Sequence, residues 1–221
     1  MTAFNSRHPG RLLAALTLLM FIGGCATTTT SSSSKSKSST PAKTNIEIQE
    51  AVGFTIVEDG RIGGAVRGDY ATALLHLRQG QHEQGIEILK ALVESAPHLT
   101  APRIELGIAY HQANNFEAAR THLEAALETS PAHPIAHNEL GIVYRKLGLF
   151  SKARQSYEAA LAIFPSYHYA RRNLAVLCDL YLGDLACALE NYQAYMNTVP
   201  GDEQATMWIA DIQNRMGRPG E

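Results

Sequence analysis

Apolar residues recur at three-and-four spacing over residues 135–147 and again over 151–163, which predicts two amphipathic helices in succession. Gly148 breaks the pair apart. Pro165 stops the second helix, because proline lacks the donor and clashes with the preceding turn. The arrangement then repeats. Pro97, Pro131, Pro165 and Pro200 stand 34, 34 and 35 residues apart. Gly80, Asn114, Gly148, Gly183 and Gly217 follow one another at 34, 34, 35 and 34. A fixed period of this length marks a stacked array of similar units. Each unit is an antiparallel helical hairpin, and a lone hairpin cannot cover its own apolar faces, so neighbours must stack. The units run over residues 66–99, 100–133, 134–167 and 168–202, the fourth with one extra residue before Gly183. Residues 203–216 read as a single helix closing the last apolar face, followed by a tail at 217–221.

The units resemble the tetratricopeptide repeat. That family places Leu, a small residue and an aromatic on the first helix, then Ala, a bulky residue and Ala on the second, with Pro at the end. The third unit supplies Leu140, Gly141, Tyr144, Ala153, Tyr157, Ala160 and Pro165. The second supplies Leu106, Gly107, Tyr110, Ala119, Leu123, Ala126 and Pro131. Arg103 and His137 stand where the family has Trp. The fourth has Leu174, Ala175, Ala188, Tyr192 and Pro200, with Cys178 at the aromatic position. In the first, Ala73, Gly85, Leu89 and Pro97 fit, while Asp69 and Thr72 depart from the pattern. The resemblance implies an all-α solenoid, a right-handed superhelix of hairpins that binds proteins on its inner surface. First-helix positions assign to that surface Tyr70, Leu74, Leu77, Ile104, Ile108, His111, Asn138, Ile142, Arg145, Tyr169, Arg172, Asn173 and Val176. Their mixture of aliphatic, aromatic, Arg and Asn side chains suits a peptide groove. Some relatives hold a peptide's C-terminal carboxylate there, and Asn138, Arg145, Arg172 and Asn173 could act alike. A groove for an extended segment or a helix is the expectation.

The N-terminal quarter is built differently. Residues 1–24 have a basic start at Arg7 and Arg11, an apolar run over 12–22, and then small residues, the pattern of a secretion signal. The run is about eleven residues, too short to span a bilayer of roughly 30 Å as a helix. Ile22-Gly23-Gly24-Cys25 resembles the lipobox of bacterial lipoproteins, which implies cleavage before Cys25 and lipidation of its thiol. Residues 27–40 are only Thr, Ser and Lys and cannot bury enough apolar surface to stay ordered. Residues 25–44 therefore read as a lipidated tether, averaging roughly 25 Å end to end. Ala26, where inner-membrane lipoproteins usually carry Asp, points by resemblance to the outer membrane. Over residues 45–65 a short extended flap is expected, packed on the first hairpin. Ile46-Glu47-Ile48 and residues 54–57 are strand-like there, and Asp59-Gly60 is a favoured hairpin turn.

Charge and chemistry narrow the function. From residue 45 onward, 14 Lys/Arg face 21 Asp/Glu, a net of −7 with only three lysines, which argues against nucleic acid. His82-Glu83 begins a zincin motif, but Ile86 stands where the second histidine belongs. Gly60, Gly63, Gly64 and Gly68 lack the Lys-Ser/Thr of a phosphate loop, and there is no Gly-x-Ser-x-Gly. His133 and His137 are the one close histidine pair, separated by Pro134 at an inter-repeat turn, and no metal or other cofactor is expected. With Cys25 lipidated, Cys178 and Cys187 form an even pair flanking Gly183 at similar heights on antiparallel helices, and a disulfide is expected. The chain thus reads as a non-enzymatic scaffold at the periplasmic face of the outer membrane, binding other envelope proteins. It is similar in architecture to the tetratricopeptide lipoproteins that help assemble type IV pilus secretins. An accessory subunit of a peptidoglycan-processing complex and a passive spacer are the alternatives.

Overall fold

The computed structural model describes residues 44–49, 53–58 and 62–217, with side chains from residue 62 onward. The leader, Cys25 and the tether to residue 43 lie outside the described residues. Thr44, assigned to the tether by composition, opens a strand. The strands β1 (Thr44–Gln49) and β2 (Gly53–Glu58) pair antiparallel, from Thr44 opposite Glu58 to Gln49 opposite Gly53. The chain therefore reverses between Gln49 and Gly53. Asp59-Gly60, the expected hairpin turn, lie outside the described residues and after β2 in the chain, and the register that pairs Ile46 with Ile56 does not place them between the two strands. How the flap packs falls outside the described side chains.

Helices fill the rest as four hairpins and a closing helix: α1 (Gly64–Arg78) with α2 (His82–Ser95), α3 (Thr100–Gln112) with α4 (Phe116–Thr129), α5 (Pro134–Lys146) with α6 (Phe150–Ile163), α7 (His168–Leu177) with α8 (Leu185–Thr198), then α9 (Glu203–Met216). Each helix packs on the next in sequence, and first helices also touch across repeats, α3 on α5 and α5 on α7. Among the described residues no helix is long and apolar enough to cross a membrane.

The periodic residues explain the hairpins. Gly80, Asn114, Gly148 and Gly183 are left-handed, with φ of 76°, 60°, 74° and 65°, and each ends a first helix so that the chain can double back. In the first three hairpins the residue after this turn donates its amide five residues back, as from Leu149 to the Tyr144 carbonyl at 2.8 Å. In the fourth the bond spans six, from Asp184 to the Cys178 carbonyl at 2.9 Å, and the extra residue is taken up in a π-turn, Cys178–Leu182. Two of the second helices, α4 and α8, start on Asn115 and Asp184 side chains that accept from the Ala118 and Cys187 amides. The core is continuous from Ile104 to Ile212, with a smaller cluster at Ala73, Leu89, Leu92 and Leu106. Close packing demands small residues at two first helices. A Cβ on Gly107 would come within 2.6 Å of Leu123 and one on Gly141 within 2.5 Å of Tyr157.

Candidate partner-binding site

The first helices α1, α3, α5 and α7 carry the residues that the repeat pattern assigns to the inner face. Tyr70, Leu74, Ile108, His111, Ile142, Arg145, Tyr169, Arg172, Asn173 and Val176 are all half-buried along it. Ile104 and Asn138 instead lie beneath the surface, at 4% and 2% exposure. Asn138 is a structural link: its Oδ1 accepts from Asn173 Nδ2 across the α5–α7 seam at 2.9 Å, and its Nδ2 donates to Glu139 Oε1 at 3.1 Å. The two asparagines assigned to a carboxylate site are thus brought together but bonded to each other.

The arginines are held by aromatic rings. Arg145 lies 5.6 Å from the centroid of Tyr181, whose hydroxyl accepts from its Nη1 at 3.4 Å, and Arg172 lies 5.4 Å from that of Trp208 on α9. Both Nε atoms are buried without a hydrogen-bond partner, and the buried Tyr157 hydroxyl lies against Arg145. Neither arginine is ion-paired among the described residues. His111 packs against Phe116, and burial together with Lys146 and Arg145 holds its pKa below the usual range.

Two acids share this face. Glu105 on α3 and Glu139 on α5 occupy the same repeat position, 34 residues apart, which Asn173 occupies on α7. Burial pushes the Glu105 carboxyl up to about 7. Burial does the same to Glu139, also to about 7, with the Asn138 hydrogen bond opposing and the charge of Glu105 reinforcing the shift. Glu105, Tyr157, Tyr181 and Trp208 were not assigned to this face from the sequence. The period itself could have marked Glu105, one unit before Glu139. Tyr181 could not be placed, because the π-turn shifts its register.

The histidine pair serves the backbone. His133 Nδ1 accepts the Ala136 amide and caps α5, and burial lowers its pKa to about 4. His137 Nε2 bonds the Pro131 carbonyl at 2.8 Å. Cys178 and Cys187 are joined by a disulfide, Cα atoms 5.9 Å apart, with Asp184 beside them. Sulfurs bonded to each other are not free to hold a metal ion.

Models of the tetratricopeptide repeat match residues 104–168 and 69–98. By sequence alone no curated protein matches. Among solved structures, MamA (residues 41 to the end) from Desulfovibrio magneticus RS-1 superposes with a TM-score of 0.63 at 21% identity, over 71% of this chain and 88% of that one. A thermophilic tetratricopeptide protein of Thermus thermophilus gives 0.58 at 26% identity, over 67% and 81%.

Proposed function

We propose that this tetratricopeptide solenoid is a protein-binding scaffold that works outside the cytoplasm, tethered to the outer membrane through a lipidated Cys25. A machine of the cell envelope, such as a type IV pilus secretin, is what it would help assemble or stabilise. The carrying observation is the inner face, where Arg145 and Arg172 are ordered on aromatic rings with buried Nε donors left unpaired. Buried donors without acceptors are costly. A partner segment laid across α5 and α7 can supply carbonyl or carboxylate oxygens to the exposed ends of both guanidiniums while its apolar side chains meet Ile108, Ile142 and Val176. Rings that already fix each arginine reduce the ordering entropy that binding must overcome. The lipobox-like Ile22-Gly23-Gly24-Cys25 and the Ser/Thr/Lys segment support the anchor.

The test uses the full-length protein in its native membranes. Crosslinking and pull-down should recover envelope proteins with the wild type, and Arg145→Glu/Arg172→Glu should lose them with helical circular dichroism unchanged. Cys25→Ala should leave the outer-membrane fraction and incorporate no labelled fatty acid. Undiminished partner recovery by the double arginine variant would move binding to another face. A wild type that takes up no fatty acid would remove the anchor.

A further inference from the structure

The hairpin ends that turn at the periodic glycines are unlike along the chain. Gln79 and Gln81 flank Gly80, and Asn115 follows Asn114, so the first two ends are polar. From the third unit onward they are apolar: Leu149 follows Gly148, Leu180-Tyr181-Leu182 precede Gly183, and Met216 precedes Gly217. Among the described residues these make up most of the large apolar side chains left exposed, with Leu180 the most open at 68%. Contacts gather them at one end of the stack. Tyr181 packs on Phe150, next to Leu149, and Arg215, next to Met216, reaches Asp179 in the π-turn at 2.8 Å. The disulfide from Cys178 to Cys187 spans the same turn and fixes where its exposed side chains stand. An apolar patch of this extent on a hairpin end marks a contact surface.

The charges around the patch select its occupant. The acids here are already held by arginines: Asp179 and Asp211 by Arg215, at 2.8 and 3.1 Å, and Asp184 by Arg154 at 3.2 Å. Arg145, Lys146 and Lys152 are in no ion pair among the described residues, and both lysines are exposed. An otherwise acidic body thus carries an apolar tip ringed by uncompensated cations, which is complementary to an apolar layer faced with phosphates. The ends of hairpins offer no groove to a chain segment. A bilayer interface needs none, only Leu and Tyr side chains that reach the acyl boundary and cations that meet the headgroups.

We propose that this end of the solenoid, Leu149, Leu180, Tyr181, Leu182 and Met216 with Lys146 and Lys152, docks on the surface of a bilayer containing anionic phospholipid. The proposal rests on the membrane-anchored reading and adds the face that the protein turns to its membrane. Residues 26–43 separate Cys25 from β1 and span up to roughly 60 Å, well beyond the length of about 20 Å of each helix, so an anchor at Cys25 leaves this end within reach of the bilayer. Docking there sets the groove beside the membrane, since Tyr181 is also the ring that holds Arg145.

The test places a tryptophan at exposed positions of the full-length protein, purified in detergent and reconstituted into vesicles of phosphatidylethanolamine and phosphatidylglycerol. The lipids are brominated near the glycerol end of their acyl chains, so that only a ring at the interface is quenched. Leu180→Trp should lose about half of the emission it adds to that of Trp208, whereas Leu75→Trp, equally open to water on α1, should lose almost none. Replacing phosphatidylglycerol with phosphatidylcholine, or adding Lys146→Glu/Lys152→Glu, should cut the quenching at residue 180 about twofold or more, with helical circular dichroism unchanged. Quenching at residue 180 no greater than at residue 75, or indifferent to the anionic lipid or to the two lysines, overturns the proposal. The anchor is read separately. Quenching at residue 180 in a protein that takes up no fatty acid removes the lipid and keeps the docking end, and uptake without quenching does the reverse.

Discussion

Glu139 illustrates how the burial of a single ionisable side chain costs stability. Its carboxyl is raised to about 7 in the fold against 4.5 in the unfolded chain, so below pH 4.5 it is neutral in both states and costs nothing. As pH climbs through the window from 4.5 to 7 the unfolded chain releases its proton first, and stability falls; above 7 the penalty is constant. Glu139→Gln keeps an acceptor for Asn138 and removes the charge. It should stabilise the protein by roughly 1–3 kcal/mol at pH 8, most of it gone at pH 5, as measured by denaturant melts at both values. Gly141 is constrained by space alone. A methyl group there would press into the Tyr157 ring at 2.5 Å, so Gly141→Ala should destabilise by about 1–3 kcal/mol with little change in helical signal. The small residues were legible in the sequence because the period aligns Gly107 with Gly141. The acidic pair was not recognised, since periodicity shows which turn a residue occupies and leaves its desolvation unstated.

At the level of the element, the fourth hairpin differs most from its neighbours. In the third, Lys152 sits over the Tyr144 ring at 5.4 Å, tying second helix to first. Cys187 and Cys178 occupy the corresponding positions and replace that contact with a covalent bond. The spacing of Gly183 made the extra residue visible in the sequence. Its form was not visible, because a longer loop and a π-turn have the same residue count. The turn leaves Leu180, Tyr181 and Leu182 exposed and sets Tyr181 against Phe150, ring centroids 5.0 Å apart. Closing so short a loop should contribute about 2–3 kcal/mol by the chain-entropy model. Cys187→Ser should lose that amount in denaturant melts, with the deficit absent when both proteins are reduced. Mass spectrometry of unreduced, alkylated protein should find neither thiol modified.

The whole molecule is held by seams between sequential neighbours, and the boundaries of α9 were legible to the residue because Asp202 marks its start and Gly217 its end. Helix α9 buries Ala205 and Ile212 completely and lays Trp208 on Tyr192 at 5.2 Å. Ending the chain before Glu203 should expose the apolar side of α8 and unseat Arg172, whose ring partner departs. Such a truncation should bind a hydrophobic dye and melt at lower temperature, and its partner recovery should fall with that of the Arg172 variant. The reliance on nearest neighbours also sets a timetable. Each hairpin finds its contacts within itself and in the one before it, so a chain delivered N-terminus first can settle unit by unit without waiting for distant segments. Only the final seam must wait. Until α9 arrives, the growing end always presents one uncovered oily flank, and that flank is where a chaperone would be needed during delivery.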